Sequence, residues 1–521
     1  MLINIMAAKC IGIEAVPVTV EVDITSGIGV HLVGLADVAV KESLLRTITA
    51  LQSLGFHIPG KKIVINLAPA DMHKNGGGYD LPIALGIIAA SGQRALPGLD
   101  KYIVMGELGL DGSLREIQGS LPIADLAGSI GKKGCVLPLE SAMEATECQG
   151  VEIYGAKSLL DVLRILEEQE DFDDLLVWNT DLYKSLQGLG KPERSSSGKD
   201  IMDFSEIIGQ ESAKRGAEIA AAGGHNLMMI GPPGSGKSSL AKAMAGILPP
   251  MTREESIVTS KIYSVYGIKG SRIGLIHERP FRSPHYSASL PAIIGGGAGQ
   301  DIRPGEVTLA HNGILFIDEY GQMPKSVLEA LRGPMEDRKV TISRLRSKLE
   351  YPSSFMLVAA SNPCPCGYYG EGDRCRCTPG QRAGYLAKLS GPIMDRIDLQ
   401  LWLHPVDTRK LVGRRKGESG SAVAARVRAA RDIQKVRFAK EGIFTNAEMG
   451  GKLLEKYCHL DGECEELMEK MMEKLSLSAR AYTRILKVAR TIADLEGAES
   501  ITPSFLSEAA SYRFLDRMDG I

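Results

Sequence analysis

The most specific chemistry in the chain lies in Gly231-Pro232-Pro233-Gly234-Ser235-Gly236-Lys237-Ser238. The stretch fits G-x-x-x-x-G-K-[ST] at every fixed position. Its glycines allow a tight loop whose backbone N–H groups turn inward toward phosphate. A helix starting at the end of the loop adds its partial positive charge. Lys237 in this pattern reaches the β/γ-phosphates, the Ser238 hydroxyl ligates Mg²⁺, and Ser239 borders the site. The flanking residues support that placement. His225–Ile230 is an apolar run that predicts a buried strand, and Ser239–Ala245 predicts a helix. A second acidic strand end occurs at Gly313-Ile314-Leu315-Phe316-Ile317-Asp318-Glu319. Asp318 suits a Mg²⁺ ligand, direct or through water, and Glu319 suits the general base that polarises an attacking water. Alone, either stretch could be a Gly/Pro turn or a core strand ending in two solvated acids. Together they make a candidate nucleotide-hydrolysing pair.

More polar positions follow. Phe355–Ala360 predicts a third strand, ending in Ser361-Asn362-Pro363, and the Asn362 amide can orient a water or touch a phosphate. Asp395-Arg396-Ile397-Asp398 holds an arginine between carboxylates, and Ser478-Ala479-Arg480 opens a helix with Arg484 one turn on. Cys364-Pro365-Cys366 and Cys375-Arg376-Cys377 form C-x-C…C-x-C. Four thiolates at that spacing can close a tetrahedral Zn²⁺ site, or can stand as four reduced structural thiols. Cys10, Cys135, Cys148, Cys458 and Cys464 show no ligand spacing.

The order of these motifs, with the Asp203-Phe204-Ser205-Glu206-Ile207-Ile208-Gly209-Gln210 entry, resembles the AAA+ ATPases. The resemblance implies that Asn362 is sensor 1, that Arg396 is an arginine finger lent to a neighbouring subunit, and that Arg480 is the sensor 2 contact, with Arg484 as its rival. Phe281-Arg282-Ser283-Pro284-His285, Gly305–Gly313, Ser361–Gly367 and Ser390-Gly391-Pro392 narrow the resemblance to the Mg-chelatase-like ATPases of the YifB/ComM family. That family implies a homo-hexameric ring using ATP and Mg²⁺, with helicase or branch-migration activity on DNA during uptake or recombination. Two stretches suit DNA in a ring pore: the hairpin pattern at 338–351 with Arg344, Arg346 and Lys348, and the Phe281–Tyr286 segment with Arg282 and His285, followed by Gly295–Gly299. A magnesium-chelatase motor subunit and a protein remodeller are the alternatives. No D-x-S-x-S occurs in the chain, and the hairpin tip lacks the aromatic-hydrophobic pattern that a protein remodeller would be expected to place in a pore.

The preceding part of the chain alternates strand-like segments (15–24, 62–68, 102–108) with helical ones (38–51, 81–91). It resembles the proteolytic domain of Lon proteases, including Gly106–Ile117. Gly78 stands where the nucleophilic serine would be, and no lysine occurs between Arg115 and Gly131. Without nucleophile or base no acyl-enzyme can form.

The expected architecture is a multidomain α/β protein. Residues 1–168 would form a noncatalytic Lon-protease-like (S5-type) α/β domain and 169–202 a linker. Residues 203–405 would form the AAA+ P-loop α/β domain, and 406–521 a C-terminal helical lid of Mg-chelatase type. The chain of 521 residues is too long for one core. Its net charge of −2 means that DNA contacts must be local basic patches. The N-terminus lacks signal-peptide character, and no apolar run reaches the ~20 residues of a membrane span. The expectation is a cytoplasmic protein without a membrane partner, its cysteines reduced.

Overall fold

A computed structural model describes residues 2–35, 37–74, 76–169, 171–188, 202–268, 273–297, 303–344, 347–389, 393–405, 417–474 and 477–515. Arg346, Ala298-Gly299, Ser390-Gly391-Pro392, Lys410–Lys416 and the linker from Leu189 to Asp200 lie outside these residues, as does the side chain of Arg344. The chain forms two units. One comprises Met1–Ser195 with Thr252–His277, the other Ser196–Met251 with Glu278–Ile521.

In the first unit, alternating side chains build β1 (Ile3–Ile11), β2 (Glu14–Thr25), β3 (Gly29–Val33) and β4 (Lys62–Ala68) into a sheet of order β1-β2-β4-β3. Helix α1 (Val38–Ser53) starts on an Asp37 cap, and α2 (Asp80–Ala90) is apolar almost all round because it is buried on nearly every side. A second sheet, parallel, joins β5 (Tyr102–Val104), β6 (Gly134–Pro138) and β7 (Glu152–Ala156), with α3 (Ser120–Ser129) packed on it. The expected glycine-rich turn is a short 3-10 turn at Gly77–Tyr79. A Cβ on Gly78 would come within 2.9 Å of the Met105 Cε.

Helix Arg253–Tyr266 belongs to the first unit. There Lys261 donates to Glu14 at 2.8 Å and to Asp125 at 2.7 Å, and the Ser264 hydroxyl donates to Glu144 at 2.6 Å. These partners are scattered polar side chains, so no local sequence pattern announces the pairing.

The second unit is built on a five-stranded sheet, all parallel. Its strands are β8 (Leu227–Ile230), β9 (Phe281–Arg282), β10 (Ile314–Ile317), β13 (Met356–Ser361) and β14 (Leu399–Trp402), in the order β9-β10-β13-β8-β14. Strands β8, β10 and β13 are fully buried, which is why they read as unbroken apolar runs. Helices α4 (Glu211–Gly223) and α5 (Lys237–Ile247) pack against each other beside the sheet. Lys339–Arg344 (β11) and Ser347–Pro352 (β12) form the expected antiparallel hairpin, anchored by buried Val340 facing Tyr351. Helix α6 (Pro379–Leu389) follows the cysteine-rich loop. Further on, α7 (Gly420–Arg437), α8 (Ala479–Leu495) and α9 (Pro503–Ser511) share one hydrophobic core with the sheet rather than forming a unit of their own. Helix α7 packs on α4 and α5, and α8 packs on α4.

Gly313 shows how tightly the edge of this sheet is set. A Cβ there would lie 1.9 Å from the Pro280 carbonyl oxygen, the same oxygen that accepts the Ile314 N–H at 2.8 Å. Backbone cannot yield as a side-chain tip can. Gly313→Ala should therefore cost about 1–3 kcal/mol in urea denaturation. Gly333→Ala, in a helix where a Cβ meets nothing within 4 Å, should not destabilise and should add up to about 1 kcal/mol.

Candidate active site

The parallel register carries three strand ends to one edge of the sheet. Strand β8 ends in the phosphate-loop sequence, β10 in Asp318-Glu319, and β13, lying between them, in Asn362. Gly234 and Gly236 take left-handed conformations (φ 77° and 89°), and a Cβ on either would meet nothing within 4 Å, so the loop is open on that side. Gly231 is required for a different reason: a Cβ there would sit 2.6 Å from the Leu403 carbonyl oxygen. Helix α5 begins at Lys237, with Gly236 as its cap. The Lys237 ammonium is nearly buried and donates to the carbonyls of Gly231 (2.7 Å) and Pro232 (2.9 Å), with Asn362 Oδ1 at 3.4 Å. Burial lowers its pKa, against the opposing pull of Asp318 and Glu319. A desolvated cation held this way favours an anionic partner.

The Ser238 hydroxyl donates to Asp318 Oδ2 at 2.8 Å, and Asp318 Oδ1 accepts the Glu319 N–H at 2.9 Å. Glu319 is left-handed (φ 50°), a conformation that costs a non-glycine residue energy. The Ser235 hydroxyl is buried in the loop and has no hydrogen-bond partner among the described residues. An orphaned donor inside a glycine-opened loop at a helix N-terminus fits a triphosphate, and the Ser238–Asp318 oxygens fit a hard divalent cation. Lys237, Ser238, Asp318 and Asn362 are thus brought together with the loop. Pro232, Pro233 and Ser239 flank them in sequence.

Arg396 and Arg480 lie elsewhere. Leu227 pairs with Leu399 and Ile230 with Trp402, so Arg396 precedes the edge of the sheet at which β14 begins, whereas the phosphate loop follows the edge at which β8 ends. Arg396 is mostly buried and ion-paired with Glu336. Burial lowers its pKa, and the nearby cations Arg332, Arg480 and Arg484 lower it further. Arg480 is well exposed and ion-paired with Asp395. Arg484 is committed inward, donating to buried Asp398 at 2.9 Å. Of the two sensor 2 candidates, Arg480 is the more exposed and Arg484 is half-buried.

The predicted DNA residues also separate. Lys348 is exposed on β12. Arg282 is not on a free loop but on the edge strand β9, in a bidentate pair with Glu306 at 2.7 and 2.8 Å. His285 is exposed, its ring centroid 4.2 Å from that of Tyr286. The four cysteines converge: the sulfurs of Cys364, Cys366, Cys375 and Cys377 all lie within 4.8 Å of one another. Among the described residues no helix is long and apolar enough to cross a membrane.

Residues 203–411 match the family of magnesium chelatase subunit ChlI, residues 20–141 match subunit ChlI of Mg-chelatase, and residues 417–513 match the ChlI C-terminal family. The chain is 42% identical to YifB of Salmonella typhimurium over 511 residues, 98% of this chain and 96% of that protein. It is 42% identical to competence protein ComM of Haemophilus influenzae over 512 residues, 97% and 96% of the two chains. The chain belongs to the YifB/ComM family of magnesium-chelatase-like proteins. A more distant likeness, 23% over 415 residues, joins it to DNA replication licensing factor mcm6 of Schizosaccharomyces pombe, covering 75% of this chain and 42% of that one.

Three further residues help to build the sheet ends in this YifB/ComM protein. Gln210 donates to the Ser235 carbonyl at 3.1 Å and to the His404 carbonyl at 2.5 Å, tying the entry motif to the phosphate loop. The Tyr385 hydroxyl shares a 3.1 Å hydrogen bond with Ser361, next to Asn362. At the far edge, Asn226 accepts from the Leu357 N–H at 2.8 Å and donates to the Arg396 carbonyl at 3.0 Å, fixing where β13 and β14 begin. Gln210 was visible as the end of a G-Q motif. The other two carry no motif.

Beneath the arginines is a buried network. Asp398 lies 3.2 Å from His225 Nδ1, and His225 Nε2 lies 2.8 Å from the Thr491 hydroxyl. Burial opposes ionisation of Asp398, but Arg484, His225 and Lys487 outweigh it and hold the carboxyl below its usual range. Burial pushes the His225 imidazole down, against the attraction of Asp398. Asp398→Asn leaves Arg484 without its buried counter-charge and should cost about 3 kcal/mol or more in urea denaturation. The His225 pKa in the folded chain lies below its unfolded value of about 6.5, so the folded state binds fewer protons. Its contribution is complete above about pH 6.5 and is lost as pH falls below that. Wild-type stability should therefore decline more steeply between about pH 7 and 5 than that of His225→Asn, measured by denaturation at each pH.

Proposed function

We propose that this chain is an ATPase that works as a homo-hexameric ring and couples hydrolysis to movement on DNA. The observation that carries the ATPase reading is the convergence of Lys237, Ser238, Asp318 and Asn362 at one sheet edge, with Glu319 adjoining. Lys237 and the loop N–H groups bind the β/γ-phosphates, and Ser238 and Asp318 hold Mg²⁺. The ion, when bound, neutralises charge on the phosphates. Asn362 orients the attacking water, and Glu319 accepts its proton.

Arg396 and Arg480 stand at the other end of the strands from their own phosphate loop. Their place suits a neighbour's nucleotide, where a guanidinium stabilises charge on the transferring phosphoryl. Hydrolysis then depends on assembly, and a ring supplies each site with a neighbour. The first unit serves as a Lon-like module without proteolytic chemistry, and the C-terminal helices serve as the lid.

DNA is favoured by the cationic hairpin, with exposed Lys348 and the sequence positions Arg344 and Arg346, and by the names of two relatives, a competence protein and a DNA replication licensing factor. Arg282, held by Glu306, contributes to DNA binding only if that pair opens.

ATP turnover by the purified chain should rise with single-stranded, duplex or forked DNA. No stimulation by any of them would favour a chelatase-type motor or a remodeller instead. Lys237→Ala should abolish turnover. Glu319→Gln should keep ATP binding and lose about 10²-fold or more in turnover. Arg396→Ala should be inactive alone, yet mixed rings of Lys237→Ala and Arg396→Ala subunits should regain activity, because some interfaces then hold both groups intact. Inactive mixed rings would remove Arg396 from its trans role.

A further inference from the structure

The loop between β13 and α6 leaves the candidate ATP site at Asn362 and runs through the four clustered cysteines. Its own packing is poor. Among the described residues from Pro365 to Gly380, only Gly367 is buried, and the rest are half-buried or exposed. Burial of apolar surface does not account for an ordered loop of this kind. The sulfurs do converge: Cys364 and Cys366 are 3.3 Å apart, Cys364 and Cys375 3.8 Å, Cys366 and Cys375 3.7 Å. A tetrahedral Zn²⁺ with Zn–S bonds of about 2.3 Å places its sulfurs about 3.8 Å apart. None of the four is in a disulfide.

The loop rests on the nucleotide machinery. The Gly367 N–H closes a turn on the Cys364 carbonyl at 3.0 Å, and Gly367 is left-handed (φ 84°). A Cβ there would lie 2.9 Å from Pro233 Cδ, in the phosphate loop, and 3.9 Å from Asn362 Cγ. Further along, Arg382 stacks over Tyr369 at 4.8 Å, and Tyr385 on the same helix holds Ser361.

We propose that Cys364, Cys366, Cys375 and Cys377 bind one Zn²⁺, and that this metal clamps Asn362 and the phosphate loop, making nucleotide affinity depend on metal occupancy. Four thiols give up four protons to become four zinc-bound thiolates, with no change of oxidation state. The ion cross-links the two ends of a loop that packing alone does not hold, and the turn at Gly367 passes that constraint to Pro233 and Asn362. The coupling rests on the ATP-site reading; the metal site does not.

The full chain, purified under reducing conditions, should carry one zinc per chain by elemental analysis. Cys375→Ser/Cys377→Ser should lose it, and Cys148→Ser should keep it. Stripping wild-type protein with a chelator should weaken binding of a fluorescent ATP analogue at least tenfold, with circular dichroism unchanged, and added Zn²⁺ should restore the affinity. The strip-and-restore arm stands even if the double variant fails to fold. A chain that holds no zinc and takes up neither Zn²⁺ nor Co²⁺ overturns the metal site. Equal nucleotide affinity with and without zinc overturns the coupling and leaves the metal site standing. A zinc-loaded chain that binds no nucleotide overturns the ATP reading and the coupling together, while the zinc stoichiometry still stands.

Discussion

Strand β13 lies between β8 and β10, and the candidate site follows from that order. In a parallel sheet every strand points the same way, so three strands adjacent in space release their following residues at one edge. The loop cation, the Ser238–Asp318 pair and Asn362 meet there although they are far apart in sequence. Antiparallel placement of β13 would send Asn362 to the opposite edge. The interior apolar runs thus fix the functional geometry through their direction as well as their burial.

The same rule organises the opposite edge. His225, Arg396 and Asp398 precede β8 and β14, and α8 brings Arg480, Arg484 and Lys487 to them. Several cations gather around few carboxylates. Asp398 is buried and anchors Arg484, which leaves Arg480 on the exposed side with Asp395. Burial separates two arginines one helical turn apart, committing Arg484 inward and leaving Arg480 on the surface.

The sequence was most legible where one local constraint dominates. β4 and the start of α8 fall where apolar alternation and the Ser478 cap place them. The hairpin at β11–β12 could be read from its alternation, and the phosphate loop from spacing that only a tight turn before a helix requires. What escaped was set by partners distant in sequence. Phe281–Arg282 is too short to show a period, and it became an edge strand because β10 was there to pair with it. Arg282 read as a free cation because Glu306 is not adjacent in sequence. Helix Arg253–Tyr266 has a clear capping box at Thr252 and Glu255, but nothing in it names the unit whose carboxylates Lys261 would meet.

That helix makes the chain cross between the two units three times, at Ser195–Ser196, Met251–Thr252 and His277–Glu278. The middle crossing comes directly after the helix that begins with Lys237 and Ser238, separated from it only by Leu248–Met251. The polypeptide is therefore a covalent leash of four residues from the helix that opens with Lys237 to the first unit.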